Sequence, residues 1–505
     1  MAIRNVNATD STFRPALLLM SGQGVAFVAT FFTPVVLARV FDQSEFGTYK
    51  QLFLIFSTVY YVAQFGMAES LFYFLPTARE AAGRYVANSL LFLAGVGVAC
   101  GFALALATGA ISRWLHNDAL SGHLELVAAF LGLMLASAGL EIVMTARGRY
   151  LSASACYGTS DVLRSVSLLV PALLVVRLDA VLAGAVVFAF VRVAATLVYV
   201  ARTFRFTLRF DRVLLTRQLS YAGPFGLAVL LYVVHTNLHQ YIVSYRFDAA
   251  TFAVYAVGCL QIPFVELVAA SAGNVLMVRM AQAAREGQPQ QALEIWHDAT
   301  RKLALMFFPL VGVLLVAAPD LIVLLFTEQY RASAAVFMVS TTGIALAALA
   351  TDAVLRVYAQ TGYLLALNAF RLAFIAALIA PFIAVFDLPG AMLVTILATA
   401  TAKWLALVRM QRLIGAGRSQ LLPWRSLGAT AAAAMLAAVA GLAAKLLLGG
   451  TAFRNLIAAT VVAAGVYAVL VLWLGLLDRE EREALTGWLH WRAITGGQPV
   501  VRSRS

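Results

Sequence analysis

Apolar stretches of about 20 residues recur along nearly the whole chain, and this recurrence restricts the fold more than any other feature. A helix of about 20 apolar residues is long enough to cross the hydrocarbon core of a bilayer. Hydrophobic residues make up 62% of the 505 residues and charged residues only 12%, which lies outside the range of soluble globular domains. The sequence therefore predicts an all-α polytopic membrane protein with about 14 transmembrane helices.

The predicted spans are separated by short polar or basic segments, and their limits follow the ends of the apolar stretches. The three cysteines, Cys100, Cys156 and Cys259, all fall inside predicted spans, so the sequence predicts neither a disulfide framework nor a zinc site. We expect the spans at about 13–40, 46–75, 86–111, 124–146, 152–175, 180–201, 219–245, 250–280, 301–326, 332–357, 363–386, 389–412, 427–448 and 454–477.

The strongest break in this pattern is the basic segment 201–219, ARTFRFTLRFDRVLLTRQL, which holds five arginines and one acid. Cytoplasmic loops of membrane proteins carry an excess of Lys and Arg. With the N-terminus inside, most of the 37 basic residues fall on the cytoplasmic side of the predicted spans. The net charge of +13 therefore indicates topology rather than a nucleic-acid partner, and we expect both termini in the cytoplasm.

The sequence contains a short internal repeat. The pattern F-D-x3-F-x2-Y begins at Phe41 and again at Phe247, each time in a predicted outer link. Parallel repeats are typical of transporters. In the tail, Trp488 and Trp491 predict a short interfacial helix. We expect an N-terminal six-helix bundle at 1–201, a basic cytoplasmic linker at 202–218, a C-terminal six-helix bundle at 219–413, two additional transmembrane helices at 427–477 and a cytoplasmic tail at 478–505.

The first helix of each predicted bundle contains a proline, Pro34 in the N-terminal bundle and Pro224 in the C-terminal one. Proline removes a backbone donor and kinks a helix. In a membrane such a kink either lines a cavity, acts as a hinge or is a simple packing feature. We expect bends at these two positions.

Polar residues form a stripe on span two. Lys50, Ser57, Tyr61 and Gln64 share one helical face, and Glu69 lies to one side of it. A polar face inside a membrane looks either onto a water-filled cavity or onto other helices that it joins by hydrogen bonds. Because a lysine stands at one end, the pattern favours the cavity.

Several other charges fall inside predicted spans. Asp161 with Arg164 and Asp352 with Arg356 have the spacing of helical ion pairs, which is one reading of both. Arg192 and Arg371 have no acid nearby in the sequence. Each therefore needs a carboxylate from another helix or an anionic ligand. Because a guanidinium binds phosphate through two parallel hydrogen bonds, we expect these two arginines to face a shared cavity and contact a phosphate.

Span seven carries His235 and His239 on one face, and span eight carries Glu266. The histidine spacing suits a metal, but Thr236 stands where a metalloprotease motif has its acid. Hydrogen bonding to sugar or a proton relay is the better interpretation, and the sequence predicts no metal and no cofactor. The candidate substrate-binding residues are Lys50, Gln64, Glu69, Asp161, Arg164, Arg192, His235, His239, Glu266, Asp352, Arg356 and Arg371.

Two kinds of activity lack their sequence signals. The chain has no P-loop, and its predicted outer loops are too short to hold paired catalytic carboxylates. The sequence therefore predicts a protein that is not an enzyme.

Four segments carry a resemblance to a known family. They are LARVFDQSEFGTYKQL from the end of the first span, YAGPFGLAVLLYVV at the start of the second half, LLFTEQYRASAAVF before span ten and YAQTGYLLALNAFR at span eleven. In order and spacing, from about Arg14 to about Gly475, the chain resembles the Wzx-like polysaccharide flippases of the multidrug/oligosaccharidyl-lipid/polysaccharide (MOP) exporter superfamily.

This resemblance implies a flippase that moves undecaprenyl-diphosphate-linked oligosaccharide across a bacterial inner membrane, for O-antigen, capsule or exopolysaccharide synthesis. It implies two six-helix bundles in a V-shaped arrangement like that of the MATE exporters. A central cavity would open to each side in turn. The implied partners are the lipid-linked oligosaccharide, the bilayer and, as a further candidate, the polysaccharide polymerase machinery. The family has no universal binding motif, so no site residue is carried over.

Two alternatives remain. A cation-coupled multidrug exporter of the same superfamily would favour acids and aromatic residues in its cavity. Among the charges inside predicted spans the basic residues slightly outnumber the acids, which favours an anionic substrate. That balance holds only if Glu141 and Asp320, which lie nearer span ends, are not buried. The third candidate is a membrane glycan polymerase.

The predicted topology can be tested by single cysteines in a cysteine-free variant. We expect an impermeant thiol reagent, added to intact cells, to label the 41–46 and 247–250 links and to leave the 201–219 segment unlabelled, because basic segments stay on the cytoplasmic side. Labelling of 201–219 in intact cells would overturn this topology.

Overall fold

In a computed structural model the described part of the chain is almost entirely helical, from Phe13 to Trp473. The structure describes residues 13–204, 208–417, 419–478 and 481, and none of these residues forms a β-strand. The helices are α1 Phe13–Val40, α2 Gln43–Gln64, α3 Met67–Thr77, α4 Ala82–Trp114, α5 Leu124–Ala136, α6 Leu140–Ala146, α7 Tyr150–Val175, α8 Leu178–Phe204, α9 Arg212–Arg246, α10 Ala249–Gly258, α11 Pro263–Arg285, α12 Pro289–Phe326, α13 Ser333–Ala347, α14 Thr351–Val357, α15 Thr361–Ile414, α16 Trp424–Leu448 and α17 Ala452–Trp473.

The predicted fold class is confirmed, with a span count close to the expected one. Among the described residues, 12 helices are long and apolar enough to cross a membrane. One of them, α15, has 54 residues and a non-helical break at Asp387, so it corresponds to two predicted spans, 363–386 and 389–412. In α1 the segment Val28–Val40 forms a shorter apolar helix.

The structure differs from the sequence prediction inside span two, where the expected single helix is broken into α2 and α3. The break lies at Phe65 and Gly66, which both have a positive φ. A Cβ on Gly66 would lie 2.7 Å from the Phe225 ring, and a Cβ on Gly226 would lie 2.8 Å from the Phe65 ring. The broken helix therefore fits closely against α9, and this tertiary fit is invisible to hydropathy. Span eight is similarly divided into α10 and α11, with Pro263 as the first residue of α11.

The chain divides into two compact units. Unit 1 comprises the described residues up to Phe264 together with Ile322–Ser340 and Gln360–Leu405. Unit 2 comprises Val265–Leu321, Thr341–Ala359 and the described residues from Ala406. The expected division into six-helix bundles at 1–201 and 219–413 stays a prediction. Most of the tail at 478–505, including the expected interfacial helix, lies outside the described residues.

The two copies of the internal repeat have the same local geometry in unit 1. Asp42 is the N-cap of α2, with φ −68 and ψ 170, and accepts a hydrogen bond of 2.8 Å from the Glu45 amide. Asp248 is the N-cap of α10, with φ −69 and ψ 170, and accepts one of 2.9 Å from the Thr251 amide. Hydrogen bonds from the Thr251 side chain and amide hold the pKa of the Asp248 carboxyl below its ordinary value. Both aspartates thus satisfy a free amide at a helix start.

Helices α2 and α10 meet in a close contact that we call the α2–α10 seam. A Cβ on Gly47 would lie 1.8 Å from the Ala249 carbonyl oxygen, so only glycine allows this approach. Beside it, Gln51 Nε2 donates to Ser244 Oγ at 2.9 Å, and Asn117 Nδ2 donates to Gln51 Oε1 at 2.6 Å. The seam therefore joins the starts of two repeat copies by backbone contact and a satisfied buried polar network.

Unit 2 is held together by polar anchors along α12. Asp320 forms an ion pair with Lys445 of α16, and both side chains are largely buried. Trp296, which is fully buried, donates from Nε1 to the Leu421 carbonyl at 3.0 Å. Asp320 was expected near a span end, but the structure buries it against α16. Its charge therefore serves helix packing in this unit.

Candidate functional site

Unit 1 contains a cavity of about 550 Å³ whose walls come from α1, α2, α3, α5, α6, α7 and α8. Aromatic rings and polar groups share the lining, as in many ligand sites. The polar lining residues are Thr30, Thr33, Tyr49, Lys50, Ser57, Tyr60, Tyr61, Gln64, Glu69, Glu141, Tyr157, Ser160, Asp161, Arg164, Ser165 and Arg192.

The cavity brings together six of the residues singled out in the sequence. All six lie on α2, α3, α7 or α8 and line the cavity wall: Lys50, Gln64, Glu69, Asp161, Arg164 and Arg192. The other six candidates are not among its lining residues.

The polar stripe of α2 lines this cavity along its length. Lys50, Ser57, Tyr61 and Gln64 all contribute to the wall. Ser57 Oγ donates to the Leu54 carbonyl at 3.1 Å, and Gln64 Nε2 donates to the Tyr60 carbonyl at 3.4 Å, so both bonds stay within α2. These bonds do not join α2 to another helix, which favours the cavity over the helix-joining interpretation of the stripe.

Arg192 of α8 forms a buried ion pair with Glu141 of α6. Arg192 Nη2 donates to Glu141 Oε2 at 2.7 Å, and the two side chains are 12% and 4% exposed. Arg192 Nη1 also donates to Ser160 Oγ, and Cys156 Sγ lies 3.6 Å from the other Glu141 oxygen. The sequence offered no acid for Arg192, because its partner lies on a different helix. An external anion is therefore not needed to neutralise this arginine.

The second pair in the cavity is local. Arg164 Nη2 lies 2.8 Å from Asp161 Oδ1 within α7, and it also donates to Thr30 Oγ1 of α1 at 3.1 Å. Both charged side chains are more than a quarter exposed. Water and ligand can therefore reach this pair, whereas the Arg192–Glu141 pair is closed off.

Two cavity charges have no opposite charge beside them. Within the described part of the chain, no carboxylate lies at ion-pair distance from Lys50, whose Nζ sits 5.4 Å from the centre of the Phe46 ring. Glu69 Oε2 is buried, and it has no hydrogen-bond partner among the described residues. The lining thus holds three basic residues and three acids. The slight excess of basic residues among the charges inside predicted spans was conditional on Glu141 not being buried, and this cavity, where Glu141 is buried, has no such excess.

The remaining candidates lie elsewhere. His239 Nδ1 is 2.7 Å from the Tyr255 hydroxyl, and both side chains are buried. His235, on the same helix, is also buried. The described residues contain no group of three or more metal-ligating side chains. His239 therefore packs against α10, and neither histidine of α9 is among the residues that line this cavity.

Arg371 does not share the cavity with Arg192, contrary to the sequence expectation. It lies on the unit 1 part of α15, and its buried Nε has no hydrogen-bond partner among the described residues. Which cavity a lone intramembrane arginine reaches depends on helix packing, which the sequence does not specify.

Glu266, Asp352 and Arg356 belong to unit 2. The ion pair that the spacing of Asp352 and Arg356 offered as one reading does not form in the described structure, where Asp352 Oδ1 accepts a 3.3 Å hydrogen bond from Thr351 Oγ1. The four-residue spacing permits this pair but leaves side-chain rotamers open.

Sequence reasoning missed much of the α7 wall and the aromatic lining. Tyr157, Ser160, Asp161 and Arg164 have the spacing of one helical face, and all four line the cavity. This spacing was available as a signal in the polar start of α7. Glu141 had no such signal, because it stands alone in an apolar stretch.

The Arg192–Glu141 pair predicts a specific pattern of stability. Arg192→Leu leaves a buried carboxylate without its cation and should destabilise the protein by about 3–5 kcal/mol. The double variant Arg192→Leu/Glu141→Leu should recover most of the thermal unfolding midpoint in detergent, because two apolar side chains replace the pair. Arg164→Leu serves as the control and should cost less, since that pair is partly solvated. A single Arg192→Leu variant as stable as the parent would contradict this role.

Comparison with known proteins agrees with this architecture. The family model described as "Polysaccharide biosynthesis protein" matches residues 36–335, which is more than half of the chain. No curated protein sequence matches the chain significantly.

Solved structures share the fold at low sequence identity. The lipid II flippase MurJ in an inward closed conformation has a TM-score of 0.69 at 12% identity, covering 90% of this chain and 98% of its own. An inward-facing multidrug resistance MATE family transporter of the MOP superfamily has a TM-score of 0.60 at 14% identity, covering 79% and 98%. A MOP superfamily transporter from Pyrococcus furiosus has a TM-score of 0.57 at 13% identity, covering 80% of this chain and 95% of its own. The chain therefore belongs to the polysaccharide biosynthesis protein family, and its fold is that of the MOP superfamily transporters.

Proposed function

We propose that this protein is a flippase that moves undecaprenyl-diphosphate-linked oligosaccharide across the bacterial inner membrane for cell-surface polysaccharide synthesis. The family match and the MOP fold support a membrane transporter in polysaccharide biosynthesis. The observation that carries the substrate proposal is the lining of the unit 1 cavity, which combines an unpaired lysine with aromatic rings and hydroxyls.

The size of the cavity suits the head of such a substrate. At about 550 Å³ it falls within the range of sites that hold small ligands. The polyprenyl chain is apolar and needs no aqueous cavity, since hydrocarbon is as favourable an environment as protein interior. We infer that the diphosphate and the first sugars enter the cavity while the chain stays in the bilayer.

The lining chemistry suits a sugar that carries phosphate. Tyr60 and Phe56 stack with ring centres 5.5 Å apart, and Tyr60 and Tyr61 meet edge to face. Flat rings offer apolar faces to sugar rings, and their hydroxyls hydrogen-bond to sugar hydroxyls. Lys50, on the same wall, supplies the positive charge for a phosphate.

The two cavity ion pairs have different parts in this proposal. Arg164 is partly solvated, so a diphosphate can compete with Asp161 for its guanidinium. Arg192 is already bonded through Nη1 to Ser160 and through Nη2 to Glu141 in a buried setting. Substrate phosphate therefore meets Lys50 and Arg164 first, and Arg192 holds the cavity wall.

Transport should depend on the charge of Lys50. We expect Lys50→Gln to reduce flipping of a fluorescent lipid-linked oligosaccharide in proteoliposomes about tenfold or more, because a charge-assisted contact to phosphate is lost. Lys50→Arg should retain much of the rate. Flipping is measured as the fraction of glycan that an added, impermeant glycosidase can reach over time.

The matched control is Lys302→Gln, which removes the same charge from an exposed pair with Asp298 in unit 2. It should leave flipping unchanged. Full activity of Lys50→Gln, or an equal loss in Lys302→Gln, would remove the support for phosphate binding at Lys50. An altered glycan product after incubation would instead indicate the polymerase alternative.

We further propose that the cavity opens alternately to each side and that the α2–α10 seam, which lies at the two predicted outer links, is the gate on that side. In the described structure the seam is closed, because the missing side chain of Gly47 lets the two backbones approach closely. Opening the seam would separate the starts of the two repeat copies. Bends at Pro34 and Pro224 stay predictions within this cycle.

Gly47→Ala should prevent full closure of this gate, because the added Cβ has no room beside the Ala249 carbonyl. We expect lower yields of disulfide cross-linking between cysteine pairs drawn from 43–45 and 248–250, and slower flipping. Gly95→Ala, where a Cβ meets open space, is the control. In the parent, quantitative cross-linking should stop flipping until reductant is added. Full-speed flipping by the cross-linked protein would overturn the gate.

A second candidate is a cation-coupled multidrug exporter of the same superfamily. The buried and unpartnered Glu69 carboxylate oxygen favours it, because such a group can bind a cation or proton. If this candidate is right, the same vesicles should export a lipophilic fluorescent cation, Glu69→Gln should abolish that export, and Lys50→Gln should leave it intact. The glycan assay and the dye assay thus separate the two functions.

A further inference from the structure

A second cavity of unit 1, outside the central one, has a strongly basic wall. It is a groove of about 500 Å³ formed where the turn between α6 and α7 meets the end of α8. We call it the arginine groove. Its lining residues are Arg147, Arg149, Ala195, Val198, Tyr199, Arg202 and Thr203.

The three arginines of the groove have no acidic partners. Arg147, Arg149 and Arg202 are exposed, and none is in an ion pair within the described part of the chain. The Arg147 guanidinium lies 5.0 Å from the centre of the Phe204 ring, a cation–π contact that does not neutralise its charge. Three like charges around one groove repel each other unless an anion joins them.

The backbone holds two of these arginines in place. Gly148, between Arg147 and Arg149, has φ +75, and its amide donates to the Thr145 carbonyl at 2.9 Å. The Arg149 amide donates to the Met144 carbonyl at 2.9 Å. This is the hydrogen-bonded end of a helix that requires a left-handed residue. The turn therefore fixes the spacing of the two guanidinium stems.

A fourth lining residue, Tyr199, carries a donor that has no hydrogen-bond partner in the described part of the chain. The Tyr199 hydroxyl is buried, and no hydrogen-bond partner for it exists among the described residues. A buried polar group without a partner is costly, so a ligand acceptor at this point would be favourable. The hydroxyl is an observation independent of the arginines, and it indicates a ligand with oxygen acceptors.

The position of the groove identifies the source of that ligand. All three arginines lie at the ends of candidate membrane spans, after Leu124–Ala146, before Tyr150–Val175 and in the last turn of Leu178–Phe204. Lipid headgroups occupy this level of a bilayer. From Val198 in the groove wall, α8 continues towards Val191, and both apolar side chains are exposed and two helical turns apart. Such a surface accommodates an acyl chain beneath a headgroup.

We propose that the arginine groove is a binding site for the phosphate headgroup of an anionic membrane phospholipid. Basic pockets between transmembrane helices bind anionic headgroups in this manner. The site is separate from the central cavity and does not depend on what that cavity carries. A lipid bound here would bridge the α6–α7 turn and the end of α8, the helix that supplies Arg192 to the central cavity.

The test is lipid retention by the purified full chain in native mass spectrometry. The groove variant Arg147→Gln/Arg149→Gln/Arg202→Gln should bind phosphatidylglycerol about tenfold or more weakly than the parent, because each basic residue adds to the attraction. The control Arg209→Gln/Arg212→Gln/Arg217→Gln removes the same charge from exposed linker positions and should bind nearly as the parent does. An equal loss in the control would overturn the site in favour of general surface charge.

Two further measurements separate specific headgroup binding from other causes. Tyr199→Phe keeps the net charge and the ring, and it should weaken phosphatidylglycerol binding about threefold or more through the lost hydroxyl. Phosphatidylcholine should be retained much less than phosphatidylglycerol. Equal retention of the two lipids would refute the site. It would also be refuted if inorganic pyrophosphate alone raised the unfolding temperature of the parent as much as the lipid and lost this effect in the groove variant, since the groove ligand would then be a soluble phosphate.

Discussion

The free energy needed to hold a charge inside a bilayer governs how this protein uses its charged residues. Two of the buried basic residues form ion pairs with buried acids, Arg192 with Glu141 in unit 1 and Lys445 with Asp320 in unit 2. Each pair ties two helices together, so the cost of burial is offset by hydrogen bonds and by helix packing. Lys50 and Glu69 depart from this rule, and both face the same cavity. Charges kept unpaired at such cost are the ones best explained by a ligand.

The sequence was sufficient wherever the signal is local. The apolar stretches predicted the helices, the spacing of Lys50, Ser57 and Gln64 predicted a common face, and Asp161 with Arg164 was recognisable as a pair. The sequence was insufficient wherever the packing of one helix against another determines the structure. The partner of Arg192 lies 51 residues away on another helix. Likewise, the break at Phe65 and Gly66 results from a fit against α9 that no hydropathy profile contains.

The internal repeat shows how a similar sequence can acquire different roles. The caps at Asp42 and Asp248 are nearly identical in geometry, because both aspartates satisfy the same kind of helix start. The likeness ends at Gly47, whose counterpart in the second copy is the buried Ala253. Gly47 faces the backbone of the other copy and has no room for a side chain. The first repeat copy therefore requires glycine at position 47 because the backbone of the second copy packs against it.

The equal numbers of acids and bases in the cavity have an electrical consequence. With all six groups ionised the empty site is neutral, so resetting the carrier would move no net charge through the membrane field. A bound diphosphate adds about two negative charges, and each is driven by about 2.3 kcal/mol per 100 mV. A potential that is negative on the loading side would then push the occupied carrier outward and leave the vacant one unaffected. Under the proposed function, the membrane voltage itself would favour export over return.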